Sequence, residues 1–515
     1  MEKLKKILSA DWFMAVILFL VAVLIRALPE IKAGSWPIGY DTFNTYAAEL
    51  ATYHGPLINW LKTANILYFL FLPFKLLGLS PNWIMKIFGP ILYGGLMVSF
   101  FIFVRNLLKF PALKAFVLTL LTLGQLAALR LSWDLYRNEL GLIFLFWGLL
   151  YLPEVGKTKN LVLLTLLASL VSLSNELVTV LLIIILLSTA LYQLIKRDWD
   201  SLVSLLIPLM IVLTLFTVVI SSSGKTLYDP HVFFSSDKNY FWRYFYRYNL
   251  DMPYGLLKEI ILGLFWLLYG YLLLFIGIGW WRLRRNLILQ VITLWLLFGT
   301  FSALLFRGNG LMVWERWLFM LVFPFMVYAV EGIYFLGGWL ASLKNWGSRN
   351  QLGKTLALIL ATVFWLVLLG LTAWRSWPFL TADYRQAKPP LANDELNSYF
   401  PRTMVHNSIG LWLIPDTIKA VDWLNAQAPA GSLILVDNRY RGVMLTRFNI
   451  DNRYILTNEW SETIKSSTLE AAKKSGFWPI YLIWNVSRGV PDFDRIYSAG
   501  DRGIYQALPS FKNSN

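Results

Sequence analysis

Long apolar runs separated by short basic loops leave this chain few folds to choose from. Trp12 to Leu28, Ile87 to Val104, Leu161 to Leu173, Leu177 to Ile195 and Leu356 to Trp374 approach or reach the roughly 20 residues that a helix needs to cross a bilayer. With 57% hydrophobic and 16% aromatic residues, no soluble fold has enough interior to hide them. The body is therefore read as a polytopic α-helical membrane protein surrounded by membrane lipids. A formal charge of +16 suggests nucleic acid at first sight, but the basic residues are scattered between apolar runs rather than gathered on one face or tail. That pattern excludes nucleic acid and marks topology instead. Cysteine is absent, which removes disulfides, thiolate nucleophiles and cysteine metal sites. Lys3, Lys5 and Lys6 precede the first run without a small-residue cleavage site, as in an uncleaved first helix.

Basic clusters at Arg105/Lys109/Lys114, Lys157/Lys159, Lys196/Arg197, Arg282/Arg284/Arg285 and Lys344/Arg349/Lys354 are cytoplasmic by the positive-inside rule. With the N-terminus also cytoplasmic, the loops 29–63, 130–137, 222–255 and 307–316 and everything after 376 fall outside. The segment 64–79 is short and interrupted by Pro73 and Lys75, so it is read as an interfacial or re-entrant helix, which leaves about 11 spans. This parity places Asp41 and Asp134 on the same outer face of the cell membrane. The expected domains are a membrane module over 1–375 and an extracytoplasmic α/β domain over 376–515, where charged residues and prolines rise and apolar runs shorten. In that tail Asp416 to Ala426 reads as a helix, Leu433 to Val436 and Ile480 to Trp484 as buried strands, and Ser461 to Lys474 as a second helix.

Candidate chemistry sits at the outer ends of spans. The first outer loop carries Tyr40, Asp41, Glu49 and His54, and capping an interfacial helix is the structural alternative for Asp41. Asp134 and Arg137 lie in the next outer loop, where a polar cluster beside lipid-facing helices calls for a purpose; a helix cap with an Asp134–Arg137 surface pair is the alternative. Lys62, Arg137, Arg307 and Arg316 are cations on the outer face, against the positive-inside trend. Snorkelling for Lys62, and a Glu315 or tryptophan partner for Arg316, are the structural alternatives. Ser174-Asn175-Glu176 marks the turn of a helical hairpin and offers Asn175 and Glu176 to a cavity. His231 lies in an aromatic outer loop from Tyr228 to Tyr248. The three histidines are too dispersed along the chain to suggest a common zinc site.

An aspartate in the first outer loop, an apolar interfacial helix ending near Leu77-Gly78-Leu79, and two spans leading to a second aspartate resemble the GT-C superfamily, over roughly residues 1–200. The likeness is to aminoarabinose lipid A transferases and protein O-mannosyltransferases. It implies a glycosyltransferase that takes a sugar from a polyprenyl-phosphate donor and passes it, by inverting single displacement, to a glycan, lipid or protein acceptor. It further implies Asp41 as base, and Lys62, Arg137, Arg307 and Arg316 as counter-charges for the donor phosphate. Tyr40, Glu49, His54, Asn175, Glu176 and His231 would line the acceptor side or cavity. Asp134 either orients the acceptor or shares a divalent Mg, Mn or Ca ion with Asp41. Two rival classes stand beside this one. A flippase for lipid-linked glycans calls for ionisable residues deep within spans and two-half symmetry, and a non-catalytic scaffold leaves the two aspartates unrelated.

Overall fold

The computed structural model describes residues 2–226, 254–306, 314–345, 367–377, 379–380, 413–449, 454–458, 470, 472–474, 476–487, 489–490 and 492–510. They divide into two compact units. One is formed by 1–32, 56–70 and 89–405, the other by 33–55, 71–88 and 406–515. The second unit therefore joins the C-terminal domain to 33–55 and 71–88, segments that the sequence reading assigns to the membrane module.

The first unit is helical. Among the described residues seven helices, Asp11–Lys32, Pro81–Asn106, Glu176–Lys196, Trp199–Ser221, Tyr254–Leu283, Leu287–Leu305 and Trp314–Gly337, are long and apolar enough to cross a membrane. The count becomes eight if the pair Ala112–Leu123 and Leu126–Asp134, bent by 65°, forms one crossing. Thr158–Ser172 is a shorter apolar helix, and most of the span expected at 356–374 lies outside the described residues. The expected interfacial segment forms the helix Leu67–Leu76, with Pro73 inside it. At 1.5 Å per residue such a helix reaches only about half-way across a bilayer core.

Close packing in this unit rests on small residues, because apolar side chains gain nothing by leaving lipid for one another and helices associate through van der Waals fit and hydrogen bonds. The helices Leu273–Leu283 and Val322–Asn345 approach backbone to backbone. A Cβ at Gly279 would overlap the carbonyl oxygen of Tyr328, and one at Gly332 that of Phe275. Beside this contact the Tyr328 hydroxyl accepts from Gln290 Nε2 at 3.1 Å and lies 3.0 Å from Thr293 Oγ1.

The second unit is built on a five-stranded sheet in the order β2-β1-β3-β5-β4. Its strands are β1 Leu433–Asp437, β2 Tyr454–Asn458, β3 Ile480–Asn485, β4 Phe493–Ala499 and β5 Arg502–Ala507. Strand β1 runs parallel to β2 and β3, while β5 runs antiparallel to β3 and β4. The whole of β1 is buried, as an unbroken apolar run between two covered faces requires. On one face Ile434, Val436, Ile483 and Ile504 pack with Val421 and Leu424 of the helix Ile414–Gln427 and with Val443 and Met444 of the helix Arg441–Arg447. On the other, Leu435, Leu482, Trp484 and Tyr505 pack with Ala472. Pro415 stands in the first turn of Ile414–Gln427, where its missing N–H has no partner to lose. Most of the second helix expected at Ser461 to Lys474 lies outside the described residues, although 470 and 472–474 are helical.

Replacing Gly279 or Gly332 by valine is expected to lower the unfolding temperature of the detergent-solubilised protein, since overpacking against backbone costs about 1–3 kcal/mol or more. A Cβ at Gly277 meets open space, so Gly277→Ala is expected to leave that temperature unchanged.

Candidate functional site

The proposed site residues fall into two clusters, one in each unit. In the second unit, Tyr40 and Asp41 are half-buried and lead into a π-helical turn, Thr42–Ala47, followed by the short helix Ala48–Thr52. π-Helical turns are rare and frequently stand at functional sites. Asp41 has helical backbone angles and its side chain makes no capping bond, so the capping alternative does not describe it. The turn is held from below: Trp36 and Phe43 belong to the core that packs Val443 and Met444, and their rings meet edge to face at 5.1 Å. Asn44 Oδ1 accepts the backbone N–H of Gly442 at 2.8 Å, and a Cβ on Gly442 would lie 2.6 Å from the Phe43 carbonyl oxygen. Lys75 and Lys86 fix the flanks by donating to the Leu50 and Trp36 carbonyls, the latter at 3.0 Å. Glu49 is half-buried and His54 exposed.

In the first unit, Asp134 ends the short helix Leu126–Asp134 and Leu135 separates it from the helix Tyr136–Leu149. Asp134 is buried and paired with Arg130, one helical turn earlier, and Arg130 lies over the Phe319 ring at 5.4 Å. The alternative of an Asp134–Arg137 surface pair is thus replaced by a buried i,i+4 pair. Arg137 instead pairs with Glu176 at 2.7 Å. It also donates to the carbonyls of Ala64 at 3.0 Å, Ser174 at 3.1 Å and Thr63 at 3.3 Å. Arg137 therefore ties the segment just after Lys62 to the 174–176 turn. Lys62 itself closes the helix Ile58–Lys62 and is exposed. Asn175 caps the helix Glu176–Lys196 by accepting from Leu177 and Val178, and its amide donates to Asn138 Oδ1 at 3.1 Å. Arg316 is half-buried on Trp314–Met320, a helix that packs against Leu126–Asp134. Arg307 and His231, with the aromatic loop around the latter, lie outside the described residues.

Four buried charged residues complete this cluster, and the sequence reading passes over all of them. Arg26, fully buried in the first span, pairs with Glu30 at 3.0 Å. It donates to the carbonyl of Ser132 at 2.8 Å and of Trp133 at 3.2 Å, and to the Tyr136 hydroxyl at 3.4 Å. Gly89 leaves room for this contact, since a Cβ there would overlap the Tyr136 hydroxyl. Glu139 is fully buried and its carboxylate oxygens bond no other described group; Arg26 is the cation whose field reaches it. Arg130 is the fourth. The sequence does carry a signal for three of the four: Arg26/Glu30 and Arg130/Asp134 are opposite charges at helical i,i+4 spacing inside apolar helices, where charges persist only when paired.

Among the described residues no group of three or more histidine or acidic side chains is placed to hold a metal, and Asp134 is already engaged by Arg130.

Arg26→Met strands Glu30 without its cation and releases the carbonyls on either side of the 132–134 turn. Breaking a buried pair on one side costs roughly 3–5 kcal/mol, so the variant is expected to lose most of its thermal stability in detergent. The double variant Arg26→Met/Glu30→Met should recover a large part of it.

No protein-family model and no curated protein matches the sequence. Solved structures do. The chain superimposes on ArnT from Cupriavidus metallidurans bound to undecaprenyl phosphate with a TM-score of 0.53 and 12% identity, covering 96% of this chain and 98% of that one. It superimposes on the archaeal oligosaccharyltransferase AglB from Archaeoglobus fulgidus, in complex with an inhibitory peptide and a dolichol-phosphate, with a TM-score of 0.50 and 11% identity, over 92% of this chain and 69% of that one. Likeness at this level of identity is likeness of fold: this chain shares the fold of these two solved structures, and its apolar helices fit a multi-pass membrane protein.

Proposed function

We propose that the protein is a glycosyltransferase that moves a sugar from a polyprenyl-phosphate donor to a hydroxyl acceptor, a glycan, lipid or protein, on the outer face of the cell membrane. The observation that carries this reading is the superposition of almost the whole chain on a transferase solved with undecaprenyl phosphate. In the proposed reaction the acceptor oxygen attacks the anomeric carbon as the bond from that carbon to the phosphate oxygen breaks. The acceptor proton passes to the Asp41 carboxylate, and the lipid phosphate leaves as an anion. One displacement inverts the anomeric centre.

The two aspartates suit different parts of this reaction. A base must meet its substrate and take a proton, which favours the half-exposed Asp41 on its π-turn. Asp134, buried against Arg130, suits a fixed role in orienting the acceptor. Lys62 and Arg316, with Arg307, are the cations assigned to the departing phosphate, because fixed positive charge in a water-poor site stabilises developing negative charge. Arg137 acts through Lys62 by holding the backbone that follows it. The cytoplasmic N-terminus and the extracytoplasmic C-terminal domain belong to the same proposal. A flippase is the rival class, and the buried charges Arg26, Glu30 and Glu139 are the observation on its side. Their bonds to the carbonyls of 132 and 133 suit a fixed brace better than a moving relay.

Incubation of the purified protein with a panel of polyprenyl-phosphate sugars is expected to yield transfer or slow hydrolysis of at least one donor. Asp41→Asn should abolish turnover with expression and unfolding temperature unchanged, whereas full activity in that variant removes Asp41 as the base. Lys62→Met should lower kcat more than it raises KM for the donor, as loss of an interaction made with the departing phosphate requires.

A further inference from the structure

The consecutive apolar helices Tyr254–Leu283 and Leu287–Leu305 are each long enough to cross a membrane, so the residues that join them, Arg284, Arg285 and Asn286, stand at a membrane edge. With the end of the first helix they read Trp280-Trp281-Arg282-Leu283-Arg284-Arg285-Asn286. A topological charge bias asks only for cations on one side of the membrane. It does not ask for tryptophans beside them or for a fixed turn, and this segment has both.

Hydrogen bonds fix the turn on the side that faces the other helices. Asn286 donates its backbone N–H to the Leu283 carbonyl at 3.0 Å and caps the second helix by accepting from the Leu289 N–H at 3.0 Å. Gln290, one helical turn later, accepts from Trp280 Nε1 at 2.7 Å. Its amide donates to the Tyr328 hydroxyl at 3.1 Å and to the Leu283 carbonyl at 3.4 Å. On the opposite side Trp280 and Trp281 are 44% and 51% exposed, and Arg284 and Arg285 are exposed with them. The Arg284 guanidinium lies 4.9 Å from the centroid of the Trp281 ring, so a long side chain is laid on an aromatic plane instead of wandering. The nearby acid is taken elsewhere: Glu331 pairs with Lys114 and lies 3.9 Å from Arg282, which stacks on Phe335 at 4.9 Å. Among the described residues neither Arg284 nor Arg285 pairs with a carboxylate.

We infer that Arg284 and Arg285, with the exposed indoles of Trp280 and Trp281, form a binding site for the headgroup of an anionic membrane phospholipid. Guanidinium groups match phosphate oxygens by charge-assisted hydrogen bonds, and tryptophan settles at the level of the headgroups. The positive end of the Leu287–Leu305 dipole adds to the field at the same turn. Basic clusters at the ends of membrane helices recognise anionic lipid in this way, and a turn that is already ordered loses little entropy in doing so. Lys157 and Lys159 provide the contrast. Both are exposed, yet Lys157 pairs with Glu154 at 2.7 Å, and among the described residues no ring stacks on either lysine. The inference rests on no part of the sugar-transfer reading.

The test follows thermal unfolding of the full chain in a neutral detergent, at constant ionic strength, as didecanoyl phosphatidylglycerol is titrated in, with the matching phosphatidylcholine as control. Phosphatidylglycerol is expected to raise the unfolding temperature, and phosphatidylcholine to leave it in place. In Arg284→Ser/Arg285→Ser the lipid concentration at half the shift should rise roughly twentyfold, since each arginine beside an anionic surface contributes about fivefold. Trp281→Leu, which keeps every charge, should raise it about threefold, and Lys157→Ser/Lys159→Ser should not change it. Equal responses to the two lipids overturn the site. So do an equal loss in the lysine variant and undiminished binding in either the arginine or the tryptophan variant. The transfer reading fails separately, through the Asp41→Asn assay.

Discussion

A single guanidinium inside the first span organises the polar half of the helical unit. Arg26 lies in a helix whose surroundings offer no water, so each of its N–H groups needs an acceptor from the protein. It finds them in Glu30 and in two successive backbone carbonyls, those of Ser132 and Trp133. Those carbonyls are available because the helix that ends at Asp134 stops there and the next begins at Tyr136, so a helix terminus with unsatisfied C=O groups meets a buried cation in need of them. Asp134 and Arg137, at the turn itself, inherit their positions from this exchange. Gly89 is the steric condition for it, because any larger residue would fill the space that Tyr136 and Arg26 occupy.

The same logic of completion explains the composition of the second unit. A short loop cannot bury enough surface to order itself, and the stretch from 33 to 55 contains only a π-turn and a five-residue helix. It is ordered by lending Trp36 and Phe43 to the core of the α/β domain and Asn44 to the first turn of Arg441–Arg447. The backbone that carries Asp41 is thus held by residues some 400 positions later in the chain. A substitution on the α/β side of that contact, at Gly442 for instance, acts on the aspartate without touching it.

How much of this was legible depended on whether the controlling contact was local. The apolar runs and the buried strands show themselves directly, since bilayer length and continuous burial both leave periodic traces: strands expected at Leu433 to Val436 and Ile480 to Trp484 are observed as Leu433–Asp437 and Ile480–Asn485. Strands Tyr454–Asn458, Phe493–Ala499 and Arg502–Ala507 mix polar with apolar residues and hide among turns. Asp134 and Arg137 stood out as polar residues near a span end. Their partners did not, because a charge three residues away is the obvious guess whereas Arg130 and Glu176 are the observed ones. Arg26 was missed for the opposite reason: within an apolar run a lone arginine reads as a blemish until the acid four residues later is counted with it. The incorporation of 33–55 and 71–88 into the unit of the C-terminal sheet had no trace at all, since it rests on contacts between segments hundreds of residues apart.

The two aspartates stand in unequal environments, which is why the proposed reaction gives them different parts. A carboxylate paired with a buried arginine is held in place, because removing either partner leaves an uncompensated buried charge; Asp134 is in that position. A proton acceptor needs the reverse, enough exposure to reach an incoming hydroxyl and freedom to change charge without collapsing its surroundings. Asp41 is half-buried on a turn whose anchoring is done by Phe43, Asn44 and Trp36, so the backbone beneath it is pinned by contacts that do not depend on its charge.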